Sequence, residues 1–293
     1  NISEAASDDQ KKQLLPKVAE GKMLFSYGIS EPDVGADVAS VRTKAVIEGE
    51  EVVINGTKRW CSGPNVTDFI YTIVRSGPED DRYRNLSLIL IPPKAKGITI
   101  EVQQTLGQKG VGGTCDVTFE DVRVPVENIV GGLDGWNNGW NKIVSTGLDV
   151  EKIEVSALAL GIARSAVDDA WKYSQERIQF GKPIGQFQLQ QKKLAEMITE
   201  ITKAQLLAWR LGVMRENGTA TSAQISMAKR NNVDMALTIA RDARQMLGGM
   251  GISGEYSIMR HMMNLESVVT YEGTHDIHLL ITGLDVTGLN AFK

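Results

Sequence analysis

The sequence changes character once, close to residue 131, and no other feature limits the possible folds as strongly. Between Met23 and Val130, seven short segments rich in β-branched and aromatic residues are separated by turn residues, which predicts strands. From Asn141 onward, signals for strands almost disappear and apolar residues follow helical spacing. An α+β protein is therefore expected, in which an all-β domain precedes a helical domain.

The β-rich part is long enough for a small β-barrel or β-sandwich of roughly 100 residues. Asn55-Gly56 is predicted to form the tight turn of a hairpin, because this pair tolerates the positive φ angles that such a turn requires. The seven predicted strand segments are MLFSYGIS, ASVRTKAVIEG, EEVVINGTKRW, DFIYTIVRSG, LSLILIP, ITIEVQQTL and CDVTFEDVRVP.

The helical part is predicted to form an antiparallel four-helix bundle with a final helix added. Long helices with a single apolar stripe favour this arrangement, and glycine-containing breaks separate them. The predicted helices span residues 141–178, 186–217, 219–247, 254–267 and 274–290.

The first residues are too few to fold alone. Residues 2–22 are predicted to form a polar helix and then a second, short helix that starts near Pro16, with Gly21 as its stop. Because Asn1 falls inside the first predicted helix, we expect that an N-terminal portion of the protein is absent from this chain.

Composition excludes several classes of protein. A net charge of −4 and a pI near 5.6 do not favour non-specific binding to nucleic acid or to an anionic membrane. No apolar run approaches ~18 residues, so we expect a soluble protein without membrane insertion. Cys61 and Cys115 lack the spacing of a metal site and fit a reducing compartment. His275 and His278 are interpreted as surface patterning on a helix, so no metal is expected.

One carboxylate stands out near the C-terminus. Glu272 lies between Tyr271 and Gly273, directly before a helix start predicted at Thr274, whose hydroxyl can cap exposed amides. This position suits a catalytic base, although a glutamate beside a glycine is also common in a solvated turn.

Four more segments combine unusual residues at the joints between predicted elements. In residues 27–37 a strand ends in a turn whose amides and hydroxyls could bind a flat polar ring, or which could be a generic turn. In residues 59–63, Trp60 can stack on a ring and Ser62 can hydrogen bond to it, although an indole there could also be core.

The other two segments lie at predicted helix ends. In residues 175–184, Arg177 offers a fork suited to phosphate and Phe180 a stacking face, or the arginine is an ordinary cationic helix end. In residues 244–252, glycines permit close backbone approach to a ligand, or they simply stop a helix. This run is not a GxGxxG motif after a strand, which disfavours a Rossmann dinucleotide site.

Together these five features resemble the acyl-CoA dehydrogenase family over essentially the whole chain. The segment QMLGGMGISGEYSIMRHMMN resembles the family's C-terminal signature, with Arg260 and Asn264 at the expected spacing. GISEPDVGAD resembles the N-terminal signature, TFEDVRVP the strand that closes the β-domain, and ERIQFGKPIGQFQ the flavin-contact segment. QKKLAEMITEI, KRNN and the run from ARQMLGG to LNAF resemble the glutaryl-CoA dehydrogenase branch.

The resemblance implies three domains. Residues 1–22 would be the remnant of an N-terminal helical domain, residues 23–130 a β-domain for flavin and acyl-CoA, and residues 131–293 a helical bundle with the catalytic glutamate and the oligomer interface. It also implies a location in a bacterial or archaeal cytoplasm or in the mitochondrial matrix.

The resemblance further implies an FAD site, a homotetramer and an electron-transferring flavoprotein as electron acceptor. Thr274 and Asp276 would lie near the flavin. The isoalloxazine ring would be contacted within one subunit by Tyr27, Ile29, Ser30, Trp60 and Ser62. The adenosine diphosphate part of an FAD held by a neighbouring subunit would be reached by Arg177, Phe180, Gln188, Gln245, Leu247, Gly248 and Gly249.

The implied reaction is α,β-dehydrogenation of an acyl-CoA, with α-proton abstraction by Glu272 and β-hydride transfer to flavin N5. Glu151 falls where isovaleryl-CoA and long-chain acyl-CoA dehydrogenases carry their base, so it is the alternative base, or else a solvated or ion-paired helix residue. The resemblance also implies a set of residues that bind the acyl-CoA substrate, namely Ala36, Asp149, Lys152, Tyr271 and Gly273.

Several substrates and classes stay open at this point. The glutaryl-CoA branch favours a dicarboxylic acyl-CoA, and the alternatives are a substituted succinyl-CoA such as benzylsuccinyl-CoA, or a cyclic or branched acyl-CoA. Ala36 where the family often has serine, and Lys152 where arginine is common, hint at an altered substrate. An acyl-CoA oxidase and a non-catalytic flavin- or CoA-binding protein are the more distant hypotheses.

Overall fold

A computed structural model of the protein describes residues 2–78, 83–140 and 147–291, and the chain divides into two compact units. The β unit is Asn1–Leu148 and the helical unit is Asp149–Lys293. The α+β class predicted from the sequence is confirmed, because the strands of the first unit precede the long helices of the second. The domain boundaries predicted at residues 22 and 130 stay predictions.

Two helices open the β unit, α1 (Ile2–Ala5) and α2 (Asp8–Ala19). The prediction of a helix that starts near Pro16 is wrong, because a capping box sets the start of α2 eight residues earlier. Gln10 N donates to Ser7 Oγ at 3.3 Å, and Ser7 N donates to Gln10 Oε1 at 3.0 Å. Gly21, with a φ of 67°, follows the helix end as predicted.

Each of the seven predicted strand segments contributes one strand to a single sheet in the described part of the chain. The sheet order is β1-β4-β2-β3-β7-β6, with β5 also paired to β4, and the β1–β4 pair is parallel. The strands are β1 (Phe25–Gly28), β2 (Lys44–Glu48), β3 (Glu51–Ser62), β4 (Phe69–Arg75), β5 (Leu86–Ile91), β6 (Ile98–Val102) and β7 (Thr114–Pro125).

The hairpin prediction at Asn55-Gly56 is wrong, because both residues lie inside β3. The turn between β2 and β3 is formed by Gly49, whose φ is 65°, and Glu50. At Gly56 the pairing with β7 changes register, its φ is 143°, and an added Cβ would meet Thr43 at 2.7 Å. The conformational freedom of the Asn-Gly pair therefore serves a β-bulge rather than a turn.

The helical unit contains three long helices and two shorter ones among its described residues. Residues 141–146, where the first long helix was predicted to begin, lie outside the described residues. A two-residue strand pair, β8 (Ile178–Gln179) and β9 (Lys182–Pro183), follows the first helix. The helices are α3 (Gly147–Glu176), α4 (Gln188–Glu216), α5 (Ser222–Met246), α6 (Ile258–Thr270) and α7 (His275–Thr287).

Helix α5 is the centre of the helical unit, since it packs against α4, α6 and α7. Its buried face carries small and aliphatic side chains, and these join α3 in one apolar core that is rich in alanine. Small side chains let neighbouring helices approach closely. No helix in the described parts of the chain is long and apolar enough to span a bilayer.

Candidate active site

The loop between α6 and α7 carries the predicted base. The helix start predicted at Thr274 is confirmed, because Thr274 Oγ1 accepts a hydrogen bond from Ile277 N at 3.2 Å and α7 begins at His275. Glu272 has a φ of 52° and Gly273 a φ of 84°. A positive φ is uncommon for a residue with a side chain, so the surrounding structure must hold Glu272 in this conformation.

Lys229 of α5 lies directly under this loop. Its side chain is fully buried, and its ammonium donates to the carbonyl oxygens of Val268 at 2.8 Å, Tyr271 at 2.8 Å and Gly273 at 2.9 Å. These bonds use all three hydrogens of an ammonium group. The residues on both sides of Glu272 are thereby fixed to the central helix.

His278, one turn into α7, holds the same loop from the other side. The ring is fully buried and its Nε2 lies 3.0 Å from the carbonyl oxygen of Glu272. Burial and then the charges of Lys229 and Lys152 lower the pKa of His278 to about 4, so the ring is neutral at pH 7. A carbonyl oxygen only accepts, so Nε2 carries the proton.

The same ring explains the glycine next to the base. A Cβ added to Gly273 would meet Cε1 of His278 at 2.7 Å, closer than two carbon atoms can approach. The interpretation of His278 as surface patterning is wrong, because α7 turns this side chain into the unit rather than toward solvent.

The carboxyl groups of Glu272 and Glu151 meet inside the helical unit. Glu151, near the start of α3, hydrogen bonds to Glu272, and Oε2 of Glu272 is closed off from solvent without a partner among the described residues. Burial, then the charge of Glu151 and the bond to it, raise the pKa of Glu272 to about 7, while Lys152 and Lys229 oppose the rise. The nearby charge of Glu151 therefore favours the protonated form of Glu272.

Asp149 and Lys152 lie beside this pair. Lys152 Nζ donates to Asp149 Oδ1 at 3.0 Å, and Ser222 Oγ at the start of α5 donates to Asp149 Oδ2 at 2.5 Å. Both charged side chains are largely buried. The predicted substrate-side residues Asp149, Lys152, Tyr271 and Gly273 thus share one region of the helical unit with both candidate bases.

In the β unit, the structure brings together the residues predicted to contact the flavin ring. The backbone N of Arg59 donates to the carbonyl oxygen of Ser30 at 2.8 Å, which places Trp60 beside the turn that follows β1. The Trp60 indole is 56% exposed and its backbone has a φ of 65°. The Arg59 guanidinium is fixed by three hydrogen bonds to Asp116, two from Nε and one from Nη2, with Nη2 2.6 Å from Oδ2.

The other predicted residues of this unit lie on the same strands and turns. Tyr27, at the end of β1, is partly exposed and packs edge-on against Tyr71 with ring centroids 5.4 Å apart. Ile29 directly follows β1, and Ser62 is the last residue of β3. Ala36 lies in an exposed turn.

A second buried lysine supports the turn after β1. Lys58 is fully buried, and its ammonium donates to the carbonyl oxygen of Ile29 at 3.0 Å and to Glu31 Oε1 at 2.8 Å. The Glu31 carboxylate also accepts from the backbone N atoms of Arg42 at 2.7 Å and Thr43 at 2.8 Å. Burial raises the pKa of Glu31, but the charge and hydrogen bonds of Lys58, with the bonds from Thr43, lower it overall.

The residues predicted to reach a neighbouring FAD form a separate group in the helical unit. Arg177 and Gln188 are exposed, and the Phe180 ring is 92% exposed with a φ of 50°. Lys193, in the first turns of α4, donates to Oε1 of Gln245 at the end of α5. Gln245 lies sixteen residues beyond Lys229, or roughly 24 Å along α5 at 1.5 Å per residue.

Within this group, Leu247 differs from its neighbours. Gly248 and Gly249 are exposed, whereas the Leu247 side chain is buried in the core of the helical unit. Any contact of Leu247 with a ligand would therefore involve its backbone. Asp276, the remaining predicted residue, lies exposed in the first turn of α7.

Two family models match most of the chain. The acyl-CoA dehydrogenase middle domain matches residues 26–122, and the acyl-CoA dehydrogenase C-terminal domain matches residues 137–285. The chain belongs to the acyl-CoA dehydrogenase family. The resemblance read from the sequence motifs is thereby confirmed.

Individual relatives agree with this assignment. The probable acyl-CoA dehydrogenase YngJ of Bacillus subtilis is 32% identical over 94% of this chain and 71% of its own length. The cyclohexane-1-carbonyl-CoA dehydrogenase of Geobacter metallireducens is also 32% identical, with the same shares. The glutaryl-CoA dehydrogenase of Mycobacterium smegmatis is 36% identical and superposes with a TM-score of 0.90 over 100% of this chain and 73% of that protein. A second structure of a glutaryl-CoA dehydrogenase from this organism, 35% identical with a TM-score of 0.91, contains FADH2.

In the β unit, the side chains around Trp60 fit the flat ring of a flavin. The Trp60 indole is more than half exposed, has an uncommon backbone conformation and lies next to an arginine fixed by Asp116, so it offers a stacking face to a ligand. The exposed Phe180 ring is a second stacking face of the same type. As ligand contacts, the individual residues named from the resemblance stay predictions.

The sequence interpretation missed the role of Lys229, whose region was noted only for its likeness to the family. A signal was nevertheless present, because Lys229 falls four residues after Ile225 and four before Val233, on the buried face of α5. A charged residue on an apolar stripe predicts a buried charge with a specific partner. The pairing of Lys58 with Glu31 was missed as well.

Proposed function

We propose that the protein is an FAD-dependent acyl-CoA dehydrogenase in which Glu272 removes the α-proton of the acyl-CoA thioester. The observation that carries this proposal is the enclosed carboxyl group of Glu272, whose pKa is raised to about 7 by burial and by Glu151. A base is most effective when its pKa lies near the working pH, and this environment gives a carboxylate that property. Membership of the family supports the same assignment.

Glu272 itself offers a group for the leaving α-proton and a group for the negative charge that develops on the thioester oxygen. The α-proton next to a thioester is too weakly acidic to leave unaided. Oε2 of Glu272, which has no partner among the described residues, is the oxygen proposed to receive it. In the described part of the chain, the backbone N–H of Glu272 is paired with no acceptor, so we assign it to the thioester oxygen as negative charge develops there. FAD, when bound, supplies the acceptor for the β-hydride.

For FAD, the residues proposed from the β unit are Tyr27, Ile29, Ser30, Trp60 and Ser62. They are supported by the exposed indole and by the fixed turn after β1. From the helical unit, Thr274 and Asp276 are proposed near the flavin. Contacts to the adenosine diphosphate part are proposed for Arg177, Phe180, Gln188, Gln245, Leu247, Gly248 and Gly249.

The proposed substrate is a dicarboxylic acyl-CoA of the glutaryl-CoA type. Its support is the 36% identity to a glutaryl-CoA dehydrogenase. A cyclic acyl-CoA is the second candidate, because a relative that is 32% identical is a cyclohexane-1-carbonyl-CoA dehydrogenase. Asp149, Lys152, Tyr271 and Gly273 are proposed on the substrate side of the helical unit, and Ala36 in the β unit. Benzylsuccinyl-CoA and branched acyl-CoAs are further candidate substrates.

Anaerobic titration of the FAD-loaded protein with a panel of acyl-CoAs tests this proposal. The panel contains glutaryl-CoA, benzylsuccinyl-CoA, cyclohexane-1-carbonyl-CoA, isovaleryl-CoA and butyryl-CoA, and the readout is bleaching of the flavin absorbance. We expect the fastest bleaching with glutaryl-CoA. Fastest bleaching with another member corrects the substrate, and bleaching with none of them overturns the proposed activity.

The partners are proposed on the same basis. A homotetramer would cover exposed apolar side chains of the helical unit such as Phe180, and light scattering measures the subunit number directly. An electron-transferring flavoprotein is the proposed electron acceptor. Rapid reoxidation by oxygen, in place of a requirement for that acceptor, would indicate an acyl-CoA oxidase.

A further inference from the structure

Lys229 has a role that neither the family assignment nor the proposed base explains. A lysine ammonium is strongly hydrated in water, and removing it from water is costly unless its donors are satisfied. Lys229 is fully buried, and all three of its hydrogen bonds go to backbone carbonyl oxygens of one segment, residues 268–273. The protein thus places a charge in its interior in order to bind a single loop.

The three carbonyl groups bracket the proposed base. Val268 lies in the last turn of α6, Tyr271 immediately precedes Glu272, and Gly273 immediately follows it. Rotation of either neighbouring peptide would change the backbone angles of Glu272 and redirect its side chain, and the uncommon φ of 52° requires support from the surrounding structure. Tying both peptides to α5 removes these rotations.

We propose that Lys229 is the positioning residue for the base: its buried ammonium holds the Tyr271–Gly273 loop in the conformation that presents the Glu272 carboxylate to the substrate. This inference rests on the proposed function, in which Glu272 takes the α-proton. Lys229 itself does not contact the reacting atoms in this account.

The charge of Lys229 also acts on Glu272 through space. All three hydrogen bonds of its ammonium go to backbone carbonyl oxygens, and its charge favours the ionised form of Glu272. The other ionisable groups around Glu272 are Glu151 and Lys152 on α3, and His275 and His278 on α7. Glu151 opposes ionisation of Glu272, whereas Lys152 and Lys229 favour it.

The test compares three lysine-to-methionine variants of the FAD-loaded, full-length protein. Lys229→Met removes the loop bonds and the charge together. Lys152→Met removes a charge that also acts on Glu272 but leaves the loop bonds in place. Lys203→Met removes an exposed lysine of α4 that pairs with Glu200, and it serves as the matched control.

The first readout is hydrogen exchange of the peptide that spans residues 268–276, which does not depend on activity. In Lys229→Met we expect this peptide to exchange about tenfold faster or more, because exchange follows local opening, while Lys152→Met and Lys203→Met resemble the unaltered protein. Exchange in Lys229→Met equal to that in Lys203→Met would overturn the proposal.

The second readout is the pH dependence of anaerobic flavin reduction. For Lys229→Met we expect the acid limb to move to higher pH and the plateau rate to fall on the order of 10², since small misplacements of a reacting group have effects of this size. Lys152→Met should move the acid limb in the same direction without the change in exchange. A faster-exchanging loop with an unchanged plateau and acid limb would also overturn the proposal.

A second substitution covers the case in which Lys229→Met does not fold. Lys229→Gln keeps two N–H donors without the charge, and it should show intermediate exchange together with the shifted acid limb. Wild-type-like values in both readouts would reject the proposal. If the unaltered protein reduces its flavin with none of the acyl-CoAs, the proposed function fails, while the exchange result still decides whether Lys229 holds the loop.

Discussion

In the described part of each unit, a fully buried lysine lies beneath a loop that carries proposed site residues. In the β unit, Lys58 binds the carbonyl oxygen of Ile29 and the carboxylate of Glu31. In the helical unit, Lys229 binds three carbonyl oxygens of the loop around Glu272. Burial lowers the pKa of both lysines to about 8, and both remain largely charged at pH 7.

The difference lies in the carboxylate that accompanies each lysine. Glu31 is in direct contact with Lys58 and accepts two backbone hydrogen bonds, so its pKa is lowered and it stays ionised. The charge of Lys229 acts on Glu272, but Glu272 is hydrogen bonded to Glu151, and its pKa is raised to about 7. A complete buried ion pair produces a rigid support, whereas a carboxylate left outside such a pair can gain and lose a proton near neutral pH.

The largest expected effect comes from breaking the complete pair. Lys58→Met should lower the free energy of unfolding by about 3–5 kcal/mol, because Glu31 would remain buried without its counter-charge. Lys58→Met/Glu31→Gln should recover part of this loss. Urea unfolding at pH 7 measures the free energy of unfolding of both variants. A loss below about 1 kcal/mol in Lys58→Met would show that the ion pair does not stabilise the fold.

The second effect concerns the loop above Lys229. Gly273→Ala should cost about 1–3 kcal/mol of stability, since alanine is strained at a φ of 84° and its Cβ would meet the His278 ring. Gly212→Ala is the control, because Gly212 is exposed within α4 and nothing lies near an added Cβ. That substitution should stabilise by up to about 1 kcal/mol. Equal effects of the two substitutions would argue against a tightly held loop.

A smaller effect follows from the raised pKa of Glu272. The folded state holds this proton more tightly than the unfolded chain does, so ionisation of Glu272 costs stability progressively as the pH rises from about 4.5 to about 7. Glu272→Gln should therefore be more stable than the unaltered protein at pH 8, by about 1–2 kcal/mol, and nearly equal to it at pH 4. Thermal unfolding at both pH values measures this, and a loss of stability at pH 8 would contradict the assigned shift.

The smallest expected effect tests the second carboxylate. Glu151→Gln removes the negative charge beside Glu272, so the pKa of Glu272 should fall and the acid limb of flavin reduction should move to lower pH. Glu154→Gln is the matched control, because Glu154 is exposed on the same helix. An acid limb that stays in place in Glu151→Gln would show that the charge of Glu151 does not raise the pKa of Glu272.

The sequence predicted the strands better than the local details inside them. All seven strand segments were identified because runs of β-branched residues between turn residues are a local signal. The Asn55-Gly56 turn was predicted wrongly, since a positive φ serves a β-bulge as well as a hairpin and only the pairing with β7 distinguishes the two. The start of α2 was misplaced because Pro16 was given more weight than the Ser7 and Gln10 cap.

For the candidate site, the sequence identified the carboxylates but not what holds them. Glu272 and Glu151 were both singled out, from a loop pattern and from likeness to the family. Their hydrogen bond depends on the packing of α3 against the loop before α7, which no local pattern encodes. The burial of Lys229 and His278 likewise depends on which faces of α5 and α7 turn inward.

Glu272, rather than Glu151, is the base proposed to take the α-proton. The most direct measurement is the rate of anaerobic flavin reduction by the best acyl-CoA of the panel, in Glu272→Gln and Glu151→Gln, with equal FAD content in both. We predict that Glu272→Gln falls by about 10²–10⁴-fold while Glu151→Gln stays within about tenfold of the unaltered protein. A near-normal rate in Glu272→Gln together with a large loss in Glu151→Gln would show that Glu151, not Glu272, is the base.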